Sequence, residues 1–238
     1  MTLKLITLDL DNTLWPVDEV IRRAEQASYQ WLADTHPDVA ARYDIPALIR
    51  LRQQLVRNNP DYLHNLTALR KAALAGMFEE AGFSHREARQ EAEKAFAIFH
   101  QARNQVTLFP DVRAVLEILA QHYQLGALTN GNADLKLIGL DDLFLFQHSS
   151  ESIGRRKPEP DMFHAALKSA GVQAHQSLHL GDHPEEDVDA ARRHGFHAIW
   201  ANLLQQSWPE ALPPPTISLT QWRDLPTLLE SFQEENRT

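Results

Sequence analysis

The chain has 238 residues, 43% of them hydrophobic, which is enough for one sizeable domain or for a core carrying an inserted module. A formal charge of -9 argues against a nucleic-acid partner, because backbone phosphates are bound by clustered Lys and Arg. Zero cysteines exclude disulfides, thiolate metal sites and a cysteine nucleophile, and they fit a reducing compartment.

The first predicted element is a strand in LKLITLDLD, residues 3–11, an apolar run that closes on two carboxylates, Asp9 and Asp11. Two such charges set close together are unfavourable without a cation or a shared proton. From about Val17 to Gln105 the pattern is helical throughout, in EVIRRAEQASYQWLAD, IPALIRLRQQLVR, LTALRKAALAGMFEEAG and SHREARQEAEKAFAIFHQAR. Turn signals at HPD (36–38), NNPD (58–61) and AGFS (81–84) separate these helices.

Buried strands are then expected near 123–132 (YQLGALTNGN), 177–183 (SLHLGDH) and 197–202 (HAIWAN). Between them lie helices over Val112–Gln121, Asp161–Ala170 and Glu185–His194, the last two closed by Gly171 and Gly195. The tail carries a stiff loop, PEALPPP, before an edge strand and a final helix in ISLTQWRDLPTLLESF. The expected fold is α/β: a Rossmann-like parallel sheet flanked by helices, with an inserted all-helical cap. Its boundaries are 1–16 and 106–238 for the core and 17–105 for the cap. No apolar run is long enough to span a bilayer, and Met1 leads into a strand pattern without a leader, so a cytoplasmic location with no membrane partner is expected, as a monomer or weak dimer.

Four short motifs end predicted strands or follow them. Asp9-Leu10-Asp11-Asn12-Thr13 brings two carboxylates out of the first strand. Thr129-Asn130-Gly131-Asn132 offers a hydroxyl and a glycine turn whose N–H groups suit an anion. Lys157-Pro158, after Gly154-Arg155-Arg156, supplies a compact cation, and Gly181-Asp182 with Asp187 adds carboxylates before a helix. A magnesium ion suits this set, since it is a hard cation taking oxygen ligands: the side chains of Asp9 and Asp182, the backbone carbonyl of Asp11 and a substrate phosphate. Lys157 would balance the opposite side, while Thr129 with the N–H groups of Asn130 and Gly131 would hold phosphate oxygens.

Together these motifs resemble the haloacid dehalogenase-like hydrolases, with D-x-D-x-T, a strand-end Ser or Thr, a Lys and G-D-x-x-x-x-D in the same order. The helical insert resembles the C1 cap of subfamily I. The resemblance implies that Asp9 is the nucleophile, forming an aspartyl-phosphate, and that Asp11 protonates the leaving alcohol and then activates water. Asp187 resembles an outer-shell residue that orients metal waters or Lys157. Dehalogenating members lack the second aspartate, because a halide needs no proton, so Asp11 favours phosphoryl transfer. The DNTLWPVDEVIRRAE, LTNGNADLKLIGLDDLF and GDHPEEDVDAARRHG segments resemble the subfamily IA branch acting on 5-amino-6-(5-phospho-D-ribitylamino)uracil or FMN. The expected activity is a Mg²⁺-dependent phosphatase acting on a small phosphate ester. Alternatives are a phosphomutase, a non-enzymatic phospho-acceptor and a 2-haloacid dehalogenase.

Several residues read as structural instead. Asp182 and Asp187 also suit a helix start, and Arg155 and Arg156 fit a solvated loop. His179 and His183, four apart across a strand end, do not share a face as a zinc pair on a helix would. Trp31, Tyr62, Asn65 and Arg70 in the insert are assigned to core packing.

Overall fold

The computed structural model describes residues 2–235. In chain order its elements begin with β1 (Leu5–Leu8), α1 (Val17–Thr35), α2 (Pro37–Ala40), α3 (Ile45–Asn58), α4 (Leu66–Glu80), α5 (His85–Arg103) and α6 (Val112–Ala120). They continue with β2 (Gln124–Thr129), α7 (Leu135–Ile138), β3 (Phe146–Ser149), α8 (Ser150–Ile153), α9 (Asp161–Ala170) and β4 (Ser177–Gly181). A π-helical turn over Pro184–Asp189, α10 (Ala190–Arg193), β5 (His197–Ala201), β6 (Ser218–Leu219) and α11 (Leu225–Glu235) complete it.

The chain divides into two compact units. One comprises Met1–Pro16, Thr107–Gly131 and Ile138–Thr238 and holds the sheet, in the order β3-β2-β1-β4-β5-β6 with every pair parallel. The expected α/β class holds. Both β1 and β4 are buried at every residue, as strands covered on two faces must be, and this is why their sequences read as unbroken apolar runs. Strand order reverses at β1: the chain runs outward through β2 and β3, then returns to place β4 on the other side. That reversal opens a crevice beyond the carboxyl ends of β1 and β4, where open α/β sheets bind ligands.

Two departures from the sequence reading have local causes. Strand β3 was not expected, because FQHS is a half-buried edge strand with no apolar run. It pairs with β2 so that Gly126 stands opposite Phe146, whose ring would lie 2.2 Å from a Cβ at that position. The helix expected over Glu185–His194 starts instead as the π-helical turn, capped by His183, whose Nδ1 accepts from the Glu185 and Glu186 N–H groups. Gly171 and Gly195 take left-handed conformations at the ends of α9 and α10, as C-cap glycines do.

The second unit, Val17–Val106 with Asn132–Leu137, is helical. Its core is built from Leu32, Leu74, Met77, Phe78, Phe96 and Phe99. Ser84 and Glu87 form a capping box at the start of α5, and Asn65 caps α4 by accepting from Ala68 N–H at 2.7 Å. Glu25 Oε1 accepts from Arg52 and Arg70, each at 2.7 Å, and the Arg70 guanidinium lies 3.5 Å over the Phe99 ring. Residues 132–137 join this unit through Asn104, whose Oδ1 accepts from Asp134 N–H, and His100, which contacts the Asn132 carbonyl at 3.2 Å. Among the described residues no helix is long and apolar enough to cross a membrane.

Candidate active site

Asp9 follows β1 directly, and its N–H extends the ladder to β4 by donating to the Leu180 carbonyl at 2.9 Å. The chain then turns back on itself: Asn12, at φ 59°, donates its N–H to the Trp15 carbonyl, and Trp15 Nε1 donates to Asp11 Oδ1 at 2.9 Å. Asp182 follows β4 at the other side of the same crevice. One carboxylate oxygen from each of Asp9, Asp182 and Asp187 lies within 4.8 Å of the other two.

Lys157 is the counter-charge. Its ammonium is 1% exposed and donates to Asp9 Oδ1 at 2.8 Å, Asp187 Oδ1 at 2.5 Å and the Leu128 carbonyl at 2.6 Å. Those three acceptors use its three hydrogens, so the side chain has no freedom to rotate. Asp187 is equally committed. Its Oδ1 takes Lys157 and His179 Nε2, the latter at 3.1 Å, and its Oδ2 accepts from the His183 N–H at 2.9 Å. Gly181 makes room for it: a Cβ there would fall 2.3 Å from Asp187 Cγ.

The surroundings push these carboxyls apart. Burial, reinforced by Asp187 and Asp182, holds Asp9 well above the usual carboxylate range against the pull of Lys157. Burial and then Asp187 push Asp182 up to about 7, opposed by Lys157 and by a hydrogen bond from the Asn12 side chain. Burial also pulls Asp187 upward, yet the Lys157 ammonium and the His179 hydrogen bond outweigh it and keep Asp187 ionised. Lys157 would be lowered by burial, but Asp187 and Asp9 together hold it above its ordinary range. Three carboxyls thus meet one ammonium, an excess of oxygen ligands and negative charge that fits a hard divalent cation such as Mg²⁺. Asp9 and Asp182 are the residues with coordinating capacity to spare.

The residues expected to hold phosphate end β2 with Thr129 and follow it with Asn130 and Gly131. Thr129 is buried and its Oγ1 accepts from the Gly131 N–H at 3.0 Å, so that N–H is turned back onto the loop. The Asn130 side chain clamps the backbone of Lys157 from both ends, its Oδ1 accepting from Lys157 N–H at 2.8 Å and its Nδ2 donating to the Lys157 carbonyl at 3.0 Å. The same Nδ2 donates to Glu186 Oε2, and Glu186 Oε1 pairs with Arg156 at 2.6 Å.

A family model described as haloacid dehalogenase-like hydrolase matches residues 3–195. The chain belongs to that family. It is 33% identical over 213 residues to the 5-amino-6-(5-phospho-D-ribitylamino)uracil phosphatase YigB of Escherichia coli K12, covering 88% of this chain and 89% of that one. It is 38% identical over 157 residues to a phosphoserine phosphatase of Thermus thermophilus, spanning 60% and 62% of the two chains. Among solved structures, the 2-haloacid dehalogenase of Pseudomonas syringae pv. Tomato DC3000 superposes with a TM-score of 0.92 at 38% identity, over 97% of this chain and 100% of that one.

As a haloacid dehalogenase-like hydrolase, the chain is an enzyme whose motif residues gather on the sheet unit, with Lys157 bonded to Asp9 and Asp187, Asp182 close to both carboxylates, and Asn130 tied to the Lys157 backbone. Asp11 does not join the carboxylate cluster; its side chain is engaged with Trp15. Sequence reasoning missed the supporting partners. Arg156, read as part of a solvated loop, pairs with Glu186, and His179 touches Asp187. The available signal for His179 was an ionisable side chain inside a wholly buried strand, which must find a hydrogen-bond partner.

Proposed function

We propose that the enzyme is a Mg²⁺-dependent phosphatase that hydrolyses a small phosphate monoester through an aspartyl-phosphate on Asp9. The observation carrying this reading is the meeting of Asp9, Asp182 and Asp187 around a fully committed Lys157. When bound, Mg²⁺ would be held by Asp9 and Asp182, with the Asp11 carbonyl, and would neutralise charge on the nucleophile and the transferring phosphoryl group. Lys157 holds Asp9 Oδ1, which leaves the second oxygen to attack phosphorus. As that O–P bond forms, the bond to the leaving alcohol breaks and the Asp11 carboxyl gives the alkoxide its proton. Asp11 then takes a proton from water, whose oxygen attacks phosphorus and releases inorganic phosphate and the Asp9 carboxylate. Thr129 and the Asn130 N–H would orient the phosphate oxygens, the Gly131 N–H being held by Thr129 Oγ1, while the Asn130 side chain acts through the Lys157 backbone. Leaving-group choice is assigned to the helical unit as a cap.

The E. coli relative supports 5-amino-6-(5-phospho-D-ribitylamino)uracil as substrate, with FMN or a sugar phosphate as the related options. The P. syringae neighbour favours a second reading, a 2-haloacid dehalogenase, against which stand Asp11 and a carboxylate cluster suited to a cation. Phosphate and halide release should be measured across the ribitylamino-uracil phosphate, FMN, phosphoserine, hexose phosphates and 2-halo acids, with Mg²⁺ and with EDTA. Steady phosphate release that stops with EDTA is expected. Halide release surviving EDTA, an isomerised hexose phosphate, or a single stoichiometric phosphorylation would each overturn the reading.

A further inference from the structure

Three donors hold Asp187, and one of them, His179, has no part in the chemistry described so far. His179 lies in β4 directly across from Thr7 of β1 and is fully buried. Its Nδ1 is 2.8 Å from Thr7 Oγ1 and its Nε2 is 3.1 Å from Asp187 Oδ1, the oxygen that also receives Lys157. The Phe163 ring stands edge-on to it at 5.4 Å. The sheet thus carries a continuous relay of contacts, Thr7 to His179 to Asp187 to Lys157 to Asp9, running beneath the crevice.

The proton positions follow from donor and acceptor accounting. Burial disfavours an imidazolium here and the neighbouring Lys157 adds to that, together outweighing Asp187 and the Thr7 backbone. A neutral ring has one N–H, and ionised Asp187 is an acceptor only, so the hydrogen sits on Nε2. Bare Nδ1 then needs a donor. The Thr7 hydroxyl supplies it, its alternative acceptor, the Leu178 carbonyl, being farther off at 3.3 Å.

We propose that His179 is a positioning residue: its Nε2–H, set by Thr7, fixes the Asp187 carboxylate and through it holds Lys157 against the nucleophile Asp9. The catalytic consequence rests on the phosphatase reading above; the tautomer does not. Removing an outer partner of this kind typically costs about 10- to 100-fold in activity.

His179→Leu keeps the volume and removes the donor, whereas His179→Gln returns an N–H at a similar reach. With a phosphate ester that the wild-type enzyme turns over, kcat should fall about 10- to 100-fold in the Leu variant and recover to within a few-fold in the Gln variant. Nitrogen-15 NMR of the wild-type protein should show His179 protonated at Nε2 alone, and Thr7→Val should disturb that signal. A Leu variant as active as wild type, a Gln variant as impaired as the Leu one, or a ring protonated at Nδ1 alone would overturn the proposal. If His179→Leu does not fold, the Gln variant and the NMR signal decide it. If the wild type releases no phosphate, the phosphatase reading fails while the NMR result still stands for or against this geometry.

Discussion

Replacing Gly181 by alanine tests the site through a single methyl group. Gly181 ends β4 with an ordinary backbone, outside the left-handed region, so alanine meets no conformational penalty and the effect is purely steric. The added Cβ would lie 2.3 Å from Asp187 Cγ and 2.5 Å from its Oδ2, where ordinary contact begins near 3.4 Å. Asp187 must therefore retreat by about 1.1 Å, the difference between 3.4 and 2.3 Å. Lys157 cannot follow, because Asp9 and Leu128 hold it. Its 2.5 Å bond to Asp187 would then stretch by up to that much, to as long as about 3.6 Å, where it ceases to be a hydrogen bond. A hydrogen bond to a charged group contributes about 1.5–3 kcal/mol, so stability should fall by that amount, or about 3–12 °C in Tm for a domain of this size. With Asp187 no longer bonded to it, Lys157 is less firmly set against Asp9, and losing an outer partner of this kind should cost about 10- to 100-fold in kcat. Thermal melts and phosphate release in Mg²⁺ measure both. Gly126→Ala is the control, since its methyl meets the movable Phe146 ring away from the carboxylates and should spare kcat. A Gly181→Ala enzyme within about twofold of wild-type kcat and about 2 °C of its Tm would refute the steric argument.

Asp9→Asn is nearly isosteric and should abolish turnover by about 1000-fold or more while raising the Tm of the metal-free protein, because burial and two neighbouring carboxylates make ionised Asp9 costly. Turnover within about tenfold of wild type would contradict nucleophilic attack from this residue. Without metal, Asp182 titrates at about 7 in the folded chain against 3.8 as a free side chain, so the folded state binds more protons between those values and stability should fall as pH rises from 4 to 7. Added Mg²⁺ should therefore raise Tm more at pH 8 than at pH 5; equal shifts would count against Asp182 as a ligand. In the helical unit, Glu25→Gln should cost about 2–3 kcal/mol, since Arg52 and Arg70 lose their shared carboxylate in a site only 10–15% exposed, and an unchanged melt would contradict that anchoring role.

The parallel sheet made much of this site legible. A strand buried on both faces leaves a recognisable apolar run, and parallel connectivity sends every such run's end to one edge, so LITL before Asp9 and SLHLG before Asp182 announce where both carboxylates gather. The edge strand β3 has no such signature, because Phe146, Gln147, His148 and Ser149 are all only half buried. The π-helical turn escaped because its shape depends on backbone N–H bonds accepted by the side chains of His183 and Asp187, which a helical period does not record. The place of Asn130 after a strand points to its backbone N–H as a phosphate donor but says nothing of its side chain, which spans to Lys157, 27 positions away, in a pairing that depends on tertiary structure alone.

What no spacing rule conveys is which carboxylate keeps its proton. Asp182 and Asp187 are five residues apart and chemically identical, yet their environments drive them in opposite directions. Asp187 is ringed by Lys157, His179 and the His183 N–H, so it stays ionised with both oxygens occupied and acts as the fixed partner of the ammonium. Asp182 is desolvated beside that fixed charge and is held near neutrality, so its carboxylate form needs a further cation. Two carboxyls pushed apart in this way mark different roles. On the proposed reading, Asp187 therefore belongs with Lys157 in the frame of the site, and Asp182 with Asp9 in the part that would change charge when a divalent ion and a phosphate ester bind.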